Sequence, residues 1–81
     1  MQVGSVVAVN ARRGMFIVAI ESGDYAVFEL LSGVDIAVGD KVRGDLDALG
    51  GEDLTHLGSG RRFSAYGQSG PSSLAACQRL L

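Results

Sequence analysis

Apolar and polar positions alternate most regularly between Gly14 and Leu30. Met15 to Glu21 and Tyr25 to Leu30 form two arms joined by Ser22-Gly23-Asp24, and the pattern predicts a β-hairpin. Residues two apart on a strand point the same way, so Val18 and Ile20 on the first arm share a face with Ala26, Phe28 and Leu30 on the second. Gly23 supplies the positive φ that a tight connection needs, and Asp24 can bond the turn backbone.

The rest of the chain continues in short alternating pieces. Val3 to Val9 predicts a strand with Val7 and Val9 facing inward, and Gly4 marks a bend or a close backbone approach. Asn10 to Gly14 is a polar turn, so the first three strands form a meander. Ser32 to Val38 breaks the alternation. Gly39-Asp40 is a turn signal before a fourth strand, Lys41 to Leu46, where Val42 and Leu46 flank Gly44 on one face. Gly50-Gly51 ends it. Leu54 to Leu57 predicts a short strand, Gly58-Ser59-Gly60 a flexible turn, and Arg62 to Tyr66 a strand alternating Phe63 and Ala65 with Arg62, Ser64 and Tyr66; one or both of these close the sheet. Five or six short strands with glycine turns are too few for most sandwiches, so the expected fold class is all-β, a small five- to six-stranded barrel.

The tail changes character at Ser69. Gly70-Pro71-Ser72-Ser73 is a helix-start signal, and Leu74, Cys77 and Leu81 fall at i, i+3 and i+7, which predicts a one-sided helix over residues 72–81. Such a short helix is marginal alone in water, so its apolar edge must dock. The uncovered bottom end of its own barrel is the favoured seat and the same helix in a second copy the alternative. At 81 residues the chain makes one domain, with the barrel over residues 1–68 and the helical tail over 69–81.

Composition narrows the chemistry. Twelve glycines against one proline suit many turns. The lone Cys77 has no partner for an internal disulfide, and no clustered Cys or His suggests zinc. There is no basic-then-apolar leader and no apolar run near the roughly 20 residues of a membrane span. The reading is of a cytoplasmic protein that begins at its initiator methionine, with no membrane partner and no cofactor. All nine acids lie between Glu21 and Asp53, where only Lys41 and Arg43 offset them. The net charge of −2 and pI near 5.1 argue against general affinity for nucleic acid, which depends on basic residues releasing counterions. A local basic patch remains compatible with binding.

Few residues carry candidate chemistry. Arg12-Arg13 and Arg61-Arg62 are two paired-arginine turns, readable as a phosphate-holding rim or as solvated turn charges. Tyr25 and Tyr66 sit on strand positions that stack bases or cover the barrel end. His56 has no Ser, Cys or carboxylate arrangement evident around it. Gly58-Ser59-Gly60 is not a phosphate loop because no Gly-Lys-Ser/Thr follows, and Asp45-Leu46-Asp47 is too sparse for a calcium loop. The expectation is a binding module without catalysis.

The series Gly4-x-Val6, Arg13-Gly14-Met15-Phe16-Ile17-Val18-Ala19-Ile20, Gly23 and Val38-Gly39-Asp40-Lys41-Val42-Arg43-Gly44 resembles the oligonucleotide/oligosaccharide-binding (OB) barrels. Within them it is similar to ribosomal-protein-type RNA-binding repeats and cold-shock domains, over residues 3–46. The second strand has one aromatic, Phe16, where such binders often have two or three, and residues 32–38 leave little room for the fold's usual helix. The resemblance implies an OB-like barrel whose ligand face is bordered by the two arginine turns. Single-stranded nucleic acid, RNA first and DNA second, is then the expected partner, with Arg12, Arg13, Arg61 and Arg62 on phosphates and Phe16, Tyr25 and Tyr66 as stacking surfaces. The competing expectation is a protein partner or homodimer, engaged through a sheet edge and the Leu74, Cys77 and Leu81 edge of the helix. A small molecule in the barrel mouth is a third.

Overall fold

The computed structural model describes residues 1–81. Its elements are β1 (Gln2–Asn10), β2 (Met15–Ile20), β3 (Tyr25–Ser32), β4 (Lys41–Gly44), β5 (Gly50–His56), β6 (Arg61–Gly67) and α1 (Leu74–Leu80). The strands close into a barrel in the order β1-β2-β3-β6-β5-β4, every neighbouring pair antiparallel. β1, β2 and β3 form the expected meander, and β4 returns beside β1, the Greek-key connection. Both late strands are needed to close the wall. The result is an all-β barrel with a short C-terminal helix, compatible with an OB-like barrel, though with one strand more than the five of that fold.

The β2–β3 hairpin sets the interior. Phe16, Val18 and Ile20 from β2 and Ala26 and Phe28 from β3 are buried in one core with Val6, Val42, Leu46, Leu54, Phe63 and Ala65. Between the arms, Gly23 has φ +104, and the turn is closed by the Ile20 N–H on the Asp24 main-chain carbonyl at 2.8 Å. The bond comes from the backbone of Asp24 and not its side chain. Gly4 marks a close approach, because a Cβ there would fall within the Val18 side chain and 2.9 Å from the Ala19 carbonyl oxygen.

Three local expectations are corrected. Val7 faces outward and Val6 inward, because the β1–β2 register shifts between Val6 and Ala8. The extra residue of this bulge reverses the alternation, so Val6 and Val9 both reach the core side. Gly50-Gly51 do not end β4; they begin β5, and the turn comes earlier, at residues 45–49. Leu46 is buried not as part of β4 but from that turn, where its N–H donates to Gln2 Oε1 at 3.0 Å.

Strand direction sorts the connections onto two ends. The β1–β2 turn (residues 11–14), the β3–β4 segment (33–40) and the β5–β6 turn (57–60) lie at one end, here the upper, while residues 21–24 and 45–49 lie at the lower. Each end is plugged by its own connection, the upper by Val34 and Ile36 and the lower by Leu46. The lower end is therefore not the seat of the helix. Instead α1 lies on the outer wall, where Met15, Ile17, Val27 and Cys77 form a second buried cluster with Ala8, Tyr25, Leu74 and Leu81 packed against it. β2 is thus buried on both faces, which is what its unbroken run Met-Phe-Ile-Val-Ala-Ile requires.

Two links bring the tail back from β6. Gln68 N–H donates to the Val27 carbonyl, and Tyr25 and Ser72 exchange both main-chain bonds at 2.9 and 2.8 Å. Ser73 then caps α1, its hydroxyl accepting from the Ala76 N–H at 3.2 Å. The helix starts two residues later than the sequence pattern suggests, since Ser72 is spent on the bridge. It is too short to cross a membrane.

Candidate functional site

The upper end gathers most of the residues singled out in the sequence. Arg12 and Arg13 lie in the β1–β2 turn and Arg61 and Arg62 at the start of β6, so both arginine pairs share one end of the barrel, on opposite sides of the ring. The lower end carries Glu21 and Asp24 in one turn and Asp45 and Asp47 in the other. The upper end also carries Asp35 and Asp40 in the β3–β4 segment, so it sets four arginines against two acids, while the two lower turns carry acids and no base.

The four arginines do not form one rim. Arg13 turns to the tail, its Nη1 donating to the main-chain oxygens of Leu80 at 3.0 Å and Leu81 at 3.2 Å, where a cation suits the carbonyl end of a helix. Asn10 Nδ2 donates to the same Leu81 oxygen at 2.7 Å. Arg62 Nη2 meets Asp53 Oδ2 at 3.4 Å on the outer face, an exposed pair worth little. Arg12 and Arg61 remain exposed, with no side-chain partner.

The aromatic residues separate as well. Phe16 offers no stacking surface: it is 1% exposed, and its ring stacks on Phe28 at 5.9 Å between centroids. It shares the inward phase of Val18 and Ile20. Tyr25 is half-buried beneath α1. Tyr66 is outward and 46% exposed, but it pairs across the ladder with Glu29, towards the lower end and away from the arginines. Leu74, Cys77 and Leu81 pack onto the chain's own β2–β3 wall.

At the barrel mouth an apolar pocket of about 200 Å³ opens between the β1–β2 turn and the β3–β4 segment. Val9, Phe16, Leu30 and Ile36 line it, with Ala11 and Gly14 from the arginine turn and Asp35 as its one charged group. The sequence pattern did not reveal this pocket, because only the fold-back of the β3–β4 segment brings Asp35 and Ile36 over Val9, Ala11 and Gly14.

A polar cluster lies at the same end. His56 Nε2 is 3.0 Å from Asp40 Oδ2, and Nδ1 is 2.9 Å from Ser59 Oγ. The Ser59 N–H donates to Nδ1 at 3.2 Å, so Nδ1 is the acceptor and Nε2–H faces the carboxylate. This links a serine, an imidazole and a carboxylate, but the hydroxyl also accepts the Arg61 N–H at 3.3 Å inside the turn that it closes. The cluster acts as a tie between the β3–β4 segment and the β5–β6 turn. His56-x-x-Ser59 is the local signal for it; Asp40 is brought in only by the barrel.

Two hydrogen bonds, from the Ala37 N–H first and from His56 second, hold the Asp40 carboxyl below its ordinary range. A carboxylate with a depressed folded pKa adds stability that is full above about pH 4 and is lost as pH falls through the folded value. Asp40→Ala is expected to lower the urea midpoint at neutral pH and to flatten its fall below about pH 4. An acid limb unchanged by the substitution would show that another group carries it.

Comparison with family models, with curated proteins and with solved structures finds no match to this chain.

Proposed function

We propose that the protein is a binding module that takes an apolar anchor side chain of a partner protein into the mouth pocket, with acidic residues of that partner meeting Arg12 and Arg61. The observation that carries this reading is the pocket itself, an apolar cup beside the Arg12–Arg13 turn with Asp35 on its rim. Drug-sized ligands occupy roughly 300 to 1,000 Å³, and at about 200 Å³ this one suits a single large side chain. One anchor in a pocket, surrounded by weaker polar contacts, is how protein interfaces concentrate their energy.

Single-stranded nucleic acid is the second reading, favoured by the two arginine turns at one end and by the resemblance to OB barrels. Buried Phe16, covered Tyr25 and distant Tyr66 supply no stacking platform beside those arginines, which weighs against it.

Selection from a displayed peptide library tests the first reading. Peptides with an aliphatic or aromatic anchor and acidic flanks are expected, and Ala11→Trp, which fills the mouth from an exposed turn, is expected to weaken them about 30-fold or more, as losing a hot spot does. Peptides that bind Ala11→Trp equally well would remove the pocket from the model. Anisotropy with a mixed single-stranded pool distinguishes the second reading: binding whose salt slope falls by about 0.7 for each arginine replaced would put nucleic acid first.

A further inference from the structure

We propose that residues 73–81 form a strap that opens as a unit, uncovering the β2–β3 outer wall, while the barrel stays folded. The observation behind it is a division of the apolar side chains into two clusters that share no residue. Eleven residues fill the barrel interior, and the four of the second cluster lie between the wall and α1. Removing the strap takes no side chain out of the barrel core. All six strand pairings that close the ring are also independent of it.

The strap has little to hold it by itself. α1 spans seven residues, far short of the roughly 12 to 15 that a helix needs to persist alone in water, so it folds only where it is docked. Its hold is local. Ser73 caps one end; Leu74, Cys77 and Leu81 seat the middle; and Asn10 and Arg13 clamp the far end through three hydrogen bonds. The clamp is solvent-facing at Arg13, and such bonds are readily exchanged for water. The tail is tied to β3 at Ser72, one residue before the cap, which places the hinge at Ser72–Ser73.

Opening also changes the mouth. Arg13 belongs to the turn that lines the pocket with Ala11 and Gly14, and Met15 belongs both to the pocket lining and to the strap cluster. A partner seated in the mouth would sense whether the strap is closed, a consequence that rests on the binding reading above. The opening itself does not rest on it.

Cys77 reports the motion, since it is fully buried under the closed strap, where burial also pushes its thiol pKa up. With a thiol reagent in native buffer, Cys77 is expected to react faster than the barrel unfolds, at a rate nearly independent of low urea. Arg13→Ala leaves its own N–H bond to Asn10 Oδ1 in place and removes only the side-chain clamp. It should raise the labelling rate about 2- to 12-fold for each hydrogen bond lost, while that rate stays nearly independent of low urea. Amide exchange read by mass spectrometry should show residues 74–81 opening ahead of β2 and β3 in the unaltered protein. Labelling that follows global unfolding, with the same urea dependence in both proteins, would overturn the proposal.

Discussion

Phe28→Ala is expected to lower the unfolding free energy by about 3 to 5 kcal/mol, the range for removing a fully buried phenyl ring. Phe28 has no exposed surface, lies on β3 between inward Ala26 and Leu30, and stacks on Phe16, which in turn meets Phe63 at 6.4 Å. The three rings pack together inside the barrel. A closed wall hydrogen-bonded all round cannot collapse into the gap as a helix pair can, so the cavity term should persist. The loss would be a large part of the roughly 5 to 15 kcal/mol that holds most domains together. Urea denaturation followed by circular dichroism measures it. A loss under about 1 kcal/mol would mean that the ring can be replaced without leaving a cavity, contrary to the packing described.

The interior is legible because alternation reports a half-buried strand directly: phase alone puts Val18, Ile20, Ala26 and Phe28 on one face, and that face is the core. Phe16 lies two residues from Val18 and so shares its phase, but the resemblance to nucleic-acid binders gives it an outward role, and the structure buries it. Local pattern was the better guide there. Val7 points outward against the expected phase because a bulge inverts the alternation without leaving a mark in residue type. The seat of the helix was present in the unbroken apolar run of β2, since a strand with one wet face would alternate. Of the site, the sharing of one end by both arginine turns follows from counting strand reversals. What each arginine binds does not, because Arg13 meets residues 67 and 68 positions away, and Asp40 reaches His56 across 16. Contacts of that kind exist only after the barrel closes.

Gly67→Ala is expected to cost more than about 3 kcal/mol, at or beyond the upper range for overpacking, although it adds a single methyl group. Gly67 lies at the end of β6, paired with Phe28 on one side and Gly50 on the other, where the 45–49 turn crosses over it. A Cβ there would fall on the Ala48 carbonyl oxygen, 3.0 Å from its carbon and 3.3 Å from Leu49 Cα. All three are backbone atoms, so no rotamer change relieves the overlap. The turn itself must lift, and Leu46, which plugs the lower end of the core from that turn, must lift with it. Strain in φ is not the cause, because Gly67 is outside the left-handed region. Gly51→Ala makes the same chemical change on the neighbouring strand, opposite Tyr66, where nothing lies within 4 Å and φ is again ordinary. There the added methyl should be neutral or stabilise by up to about 1 kcal/mol, chiefly by restricting the unfolded chain. Urea midpoints of the two variants, measured side by side, separate close packing from a general intolerance of side chains in this barrel. Equal losses at both positions would refute the close approach of the 45–49 turn to β6.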